Sequence, residues 1–213
     1  MFRMGIIALL CSIWSAAIPA LAAKDHTTFQ NDLRGAEELF SRTQYKASLS
    51  RLDLHSTEPA SLFLIGRDYY MLGEFKKSTA YLKRAAAAAP GNSEYADWLG
   101  RAYTKHAETS NALHAIELDL KARKAFERAV QLNAKNVEAL SDLFDSYLET
   151  PVVLGGGYSK AENVVEKMSS VDVSEALLER AVLAGKRPLQ NHAREQVARL
   201  PVRTSAFLDP AAQ

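Results

Sequence analysis

The sequence predicts an all-α fold, a tandem array of helical hairpins. Three observations carry this. The stretch Leu62-Phe-Leu-Ile-Gly66-Arg-Asp-Tyr69 returns as Trp98-Leu99-Gly100-Arg-Ala-Tyr103, so Gly66 and Gly100 lie 34 residues apart. A fixed period of that size marks stacked hairpins. Apolar residues nowhere sustain the period-two alternation of strands. Glycine is scarce, and alanine and leucine, both good helix formers, are abundant.

Residues 1–22 read as a secretory signal peptide. Arg3 supplies the positive start, and Met4 to Leu21 is apolar apart from two serines. Pro19 breaks the run, and Ala20-Leu21-Ala22 is an A-x-A cleavage site. An uncleaved anchor is the alternative, since Met4 to Ala23 approaches the ~20 apolar residues that span a bilayer. Pro19 and the small-residue site favour cleavage. Cys11 does not suggest lipidation, because Leu10 precedes it where a small residue is wanted.

Cleavage removes Arg3 and Cys11 and leaves equal numbers of basic and acidic residues. No basic excess remains to neutralise phosphates, so nucleic acid is not an expected partner. The exported chain has no cysteine, so its fold must rest on helix packing in an oxidising compartment. The periplasm is the expected location, with extracellular release as the alternative. No second hydrophobic span follows, so no membrane span is expected after cleavage.

Helices are expected over 28–42, 45–56, 59–72, 75–89, 93–107, 110–132, 137–149, 158–170, 174–185 and 188–200. Gly73-Glu74 divides the third from the fourth. Pro90-Gly91-Asn92 stops the fourth, and Ser93 is the expected cap of the fifth. Asn136 is placed as the cap of 137–149, and Ser174 as that of the helix after Val173. The run Gly155-Gly-Gly157 supplies turn angles other residues avoid. It is no phosphate cradle, because a helix precedes it and the G-K-[ST] ending is missing. Residues 201–213, with Pro201 and Pro210, are expected to be a flexible tail.

Within 59–92, Leu62, Ile65, Gly66, Tyr69, Ser78, Leu82, Ala85 and Pro90 match the pattern W-x2-L-G-x2-Y, A-x3-F, P. The unit 93–136 offers Leu99, Gly100 and Tyr103, then Ala122, Phe126 and Ala129 after ten extra residues around 106–119. The unit 137–172 offers Leu140, Leu143 and Tyr147 and resumes at Ala161, after about five residues more than the pattern holds. This resembles the tetratricopeptide repeat family. The run from Lys121 to Val130, with Pro151 to Gly157 and Lys160-Ala161-Glu162, is similar to small exported bacterial repeat proteins. The resemblance implies a short right-handed superhelix over 59–172, with 23–58 a degenerate N-terminal hairpin and 173–200 capping helices. Three residues depart from it. Trp98 stands two places late, Ala134 replaces the closing proline, and Phe144 replaces the small residue of the third opening helix, which should splay that hairpin.

The resemblance further implies that partners bind the groove lined by the first helix of each hairpin. The matching places are Ala60, Phe63, Arg67, Tyr70 and Met71, then Glu94, Asp97, Arg101, Thr104 and Lys105, then Glu138, Ser141, Asp145, Leu148 and Glu149. The expected contact surface is Phe63, Arg67, Tyr70, Asp97, Arg101 and Lys105, because aromatic and arginine anchors dominate interface energy. The trio Arg67, Arg101 and Lys105 would suit a carboxylate. A carboxylate clamp is not implied, since Phe63 and Asp97 occupy its Lys and Asn places.

No catalytic, cofactor-binding or metal residues are expected. No nucleophile elbow is present. The histidines His26, His55, His106, His114 and His192 include no pair three or four apart. The expected function is a non-enzymatic scaffold or adaptor binding a protein or extended peptide in the bacterial cell envelope. The alternatives are a small-ligand or peptide receptor accessory to transport, and a homo-oligomeric assembly factor joined through 106–119.

Overall fold

A computed structural model describes residues 27–198, with side chains through residue 186. The expected signal peptide 1–22 and tail 201–213 lie outside the described residues. Nine α-helices follow one another among these residues: α1 (27–41), α2 (Tyr45–Arg51), α3 (Pro59–Met71), α4 (Phe75–Ala88), α5 (Ser93–Glu108), α6 (Ala112–Leu132), α7 (Val137–Glu149), α8 (Tyr158–Ser169) and α9 (Val173–Ala198). Each of α2 to α8 packs on its successor, and α3, α5, α7 and α9 also touch in series, which makes one continuous wall of first helices.

Two expected boundaries are corrected. The helix expected over 45–56 ends at Arg51. The Asp53 carboxylate accepts the His55 N–H at 2.8 Å and the Ser56 hydroxyl accepts the Glu58 N–H at 3.1 Å, so side chains take over the backbone's bonding. Glu58 is then extended, as the residue before Pro59 should be. At the other end, the two helices expected over 174–185 and 188–200 are one, α9.

Capping also differs from expectation at two helices. Asn92, not Ser93, caps α5 by accepting the Tyr95 N–H at 3.1 Å. Ser93 instead donates to the Ala129 carbonyl at 3.0 Å and accepts from the Asn136 amide at 3.0 Å, tying three helices together. Asn136 caps α7 through the Ala139 N–H. At α9 the cap is Asp172, which accepts the N–H groups of Ser174 and Glu175.

The hairpin seams are notched by glycine. A Cβ on Gly66 would stand 2.5 Å from Leu82, and one on Gly100 would stand 2.4 Å from the Phe126 ring. In the third hairpin Phe144 is fully buried beside Ala161, Val164, Val165 and Met168, with alanine on the second helix as the small partner. The degenerate first hairpin uses the same turn as the second. Thr43 adopts φ 59° where Gly73 adopts 77°, and Gln44 and Glu74 donate to the carbonyls of Leu39 and Tyr69.

Both extra segments are structured. The ten residues around 106–119 lengthen α5 and α6 together, with a turn at 109–111. Residues 150–157 make a short 3-10 turn (Val152–Leu154) and re-enter the helical array at α8. Gly155 and Gly157 have φ 86° and 119°, and the Gly157 N–H donates to the Tyr147 carbonyl at 2.7 Å.

One buried charge joins the first two hairpins. Asp68 of α3 is fully buried, its Oδ2 accepts from the Ser48 hydroxyl at 2.7 Å, and its Oδ1 has no partner. Burial pushes this carboxyl up to about 7. An acid raised in the folded state lends stability that is complete below its unfolded value of 3.8 and is lost as pH rises through about 7. Asp68→Asn keeps an acceptor for Ser48 and cannot ionise. Thermal melts should show it more stable than wild type by a margin that grows from pH 5 to pH 8. An equal effect at both pH values would exclude this account.

Candidate functional site

The aromatic half of the expected groove is packed. Phe63 is buried, stacks on Tyr95 with centroids 4.3 Å apart, and meets Trp98 edge-on at 6.4 Å. Tyr70 meets the same Trp98 at 5.4 Å. The Arg67 guanidinium lies 4.3 Å from the Phe40 centroid and 4.7 Å from that of Trp98. Its cation is thus held between rings, and its buried Nε has no hydrogen-bond partner.

The other two cations of the basic trio are paired with acids. Arg101 donates through Nε to Asp142 and sits 3.0 Å from Asp97. Burial raises both carboxyls, Asp97 to about 7, against the pull of Arg101. Lys105 bridges Glu108 at 2.8 Å. The carboxylate pocket expected of Arg67, Arg101 and Lys105 is therefore not formed. One cation is caged by rings and two are neutralised.

A cleft of about 680 Å³ opens beside this cluster. Tyr70, Arg101 and Lys105 of the expected surface line it, whereas Phe63, Arg67 and Asp97 do not. Glu138, Ser141, Asp145 and Glu149, also groove places, line it from α7. Residues of both extra segments also line it. Glu108, Ile116 and Asp119 belong to the first, and Thr150, Pro151 and Leu154 to the second. The departures from the repeat pattern, 30 or more residues apart in sequence, thus converge on one place.

The cleft is acidic over an apolar floor. Glu108, Asp119, Glu138, Asp142, Asp145, Glu149 and Glu175 line it against two cations, Arg101 and Lys105. Ile116, Leu120, Phe126, Val137 and Leu154 supply apolar surface. Burial, then the nearby Glu149, raises both Asp119 and Asp145. The carboxylates thus repel one another and would be relieved by an incoming cation. Asp142 and the seven-fold acidic lining were missed from sequence. The available signal was Asp97 four residues before Arg101, a helical ion-pair spacing that marked this arginine as already engaged.

Among the described residues, no group of three or more His, Cys, Asp or Glu is placed to hold a metal ion. His106 and His114, eight apart in sequence, do meet edge-on with centroids 5.6 Å apart. No helix among the described residues is long and apolar enough to cross a membrane.

The helical architecture has a solved counterpart. The crystal structure of TTC0263, a thermophilic TPR protein of Thermus thermophilus, superposes with a TM-score of 0.56 at 19% identity. The match covers 80% of this chain and 97% of that one. The chain has the tetratricopeptide repeat fold. No family model matches the sequence, and no curated protein matches it. Within the TPR fold, the cleft joins groove places of α5 and α7 to residues of the two segments that exceed the repeat pattern.

Proposed function

We propose that this protein is a non-enzymatic scaffold of the bacterial cell envelope that binds an extended, basic segment of a partner protein in the acidic cleft. The convergence of both extra segments on a cleft with seven carboxylates and two cations carries this reading. The groove places of α5 and α7 supply one wall, and the apolar floor suits aliphatic stems of lysine and arginine. Export rests on Arg3, the apolar run to Leu21 and the A-x-A site.

Helix α7 supports a binding role on energetic grounds. It ends on Asp145 and Glu149 and has no basic residue in its last turn. Negative charge at a helix C-terminus opposes the macrodipole. Carboxylates kept there against stability suggest use. Asp145→Lys/Glu149→Lys should leave the melting temperature unchanged or higher. The same variant should weaken binding of a fluorescent Lys/Arg-rich 12-residue peptide at least tenfold, about 1.4 kcal/mol. Wild-type affinity should fall with added salt. Equal binding of an acidic peptide of the same length would sink the proposal.

The cleft volume also lies within the ~300–1,000 Å³ of small-molecule sites, which favours a cationic small ligand as the second reading. Competition by a linear triamine at micromolar concentration would select it.

A further inference from the structure

Each first helix of the array gives one edge to its successor. Phe63, fifth in α3, stacks on Tyr95 of α5, and Arg101, ninth in α5, bonds Asp142 of α7. In α9 the corresponding edge is apolar and open. Leu177, Leu178 and Val182 are 57%, 62% and 41% exposed, with exposed Ser174, Ala181 and Gly185 between them. The opposite side of α9 buries Ala176, Glu179 and Leu183. Residues 174, 178, 181 and 185 are spaced four, three and four apart, the seam of a two-helix packing. A Cβ on Gly185 would meet nothing within 4 Å, so this side has room for close approach.

We propose that this face is the interface of a homodimer, in which two copies pair antiparallel through α9 about a two-fold axis. The far end of the array argues for this occupant. Among the described residues, α1 and α2 carry no exposed large apolar side chain, and α1 turns Asp32, Arg34, Glu37 and Glu38 to solvent. Head-to-tail stacking would press those charges onto Leu177 and Leu178. Between the two ends of the array, α9 on α9 is the pairing that buries apolar on apolar, and an isologous contact closes at two copies. Charge sets the direction. Glu175 and Lys186 lie on one flank of α9, three turns apart. Antiparallel pairing brings Glu175 of one copy to Lys186 of the other and opposes the helix dipoles, whereas parallel pairing aligns the dipoles and keeps the two charged flanks on opposite sides.

Sedimentation equilibrium of the purified exported protein from 1 to 100 micromolar tests this. Wild type should form dimers, and Leu178→Glu should weaken association at least tenfold. Leu113→Glu, at the 84% exposed tip of the α5–α6 hairpin, should dimerise as wild type does. Should Leu178→Glu lose helical circular dichroism, Leu177→Lys carries the same test. A wild-type monomer throughout the range overturns the proposal. So does a dimer that survives Leu178→Glu, or one lost in Leu113→Glu. A monomer that dimerises only after deletion of residues 199–213 also overturns it, because the chain's own end then covers the face.

Discussion

Arg101→Met is expected to destabilise the protein by about 2–4 kcal/mol at pH 8 and by clearly less at pH 5. Arg101 is largely buried and stands between Asp97, which is nearly inaccessible, and Asp142. Methionine keeps the stem that packs beside Trp98, where the guanidinium now lies 5.3 Å from the ring centroid. It removes the charge. Two carboxyls are then left together in a poorly hydrated site, and Asp97 Oδ1 already lacks a hydrogen-bond partner. Asp97 is pushed up to about 7 even with Arg101 present. It is therefore protonated at pH 5 with or without the cation, so fewer charges are left unpaired there and the penalty shrinks. The sign follows from linkage. A carboxyl raised in the folded state lends stability below its unfolded value of 3.8 and withdraws it as pH passes the folded value. Urea melts at pH 5 and pH 8 measure the difference. Arg101→Met/Asp142→Asn should recover much of the loss at pH 8. An equal cost at both pH values, or no recovery, would refute the ion-pair account.

The array was legible because its signals are local and repeat. Gly66 and Gly100 sit where a second helix comes closest, and both are enclosed as the pattern requires. Asn136 as a cap was readable for the same reason, since its effect is confined to one turn. What failed to show were arrangements set by neighbours distant in sequence. Helix 45–56 had no proline or glycine to stop it, and the stop comes from Asp53 and Ser56 competing for backbone N–H groups. Arg67 looked like a free anchor because Phe40, which cages it with Trp98, belongs to a hairpin that scarcely matches the pattern. The cleft was hidden more deeply. Its acids are ordinary charges on four separate helices, and only stacking gathers Glu108, Glu138, Asp145 and Glu175 around one opening. The two insertions were visible, but their meeting depends on the rotation of one hairpin against the next, which no spacing reports.

Gly100→Ala is expected to cost about 1–2 kcal/mol, although alanine is the better helix former. In an open helix this change would gain about 1 kcal/mol. Here the new Cβ would fall 2.4 Å from Cε1 and 2.5 Å from Cδ1 of Phe126. Phe126 is 3% exposed and anchors the core that holds Ala122, Ala129 and Leu140. A ring so enclosed cannot yield by changing rotamer alone, so α5 and α6 must separate, and overpacking of that kind costs about 1–3 kcal/mol. The loss should appear in urea melts and should be specific to the ring. Phe126→Leu alone leaves a partial cavity and also destabilises. Combined with Gly100→Ala it removes the clash, so the double variant should be more stable than the two losses added together. Strict additivity would mean that the glycine is not needed for helix approach. The test reaches beyond one seam, because Arg101 follows Gly100 directly and Lys105 one turn later lines the cleft. Separating α5 from α6 also moves the wall that carries Glu108 away from the one that carries Asp119. Basic-peptide binding should therefore weaken in Gly100→Ala and return in the double variant.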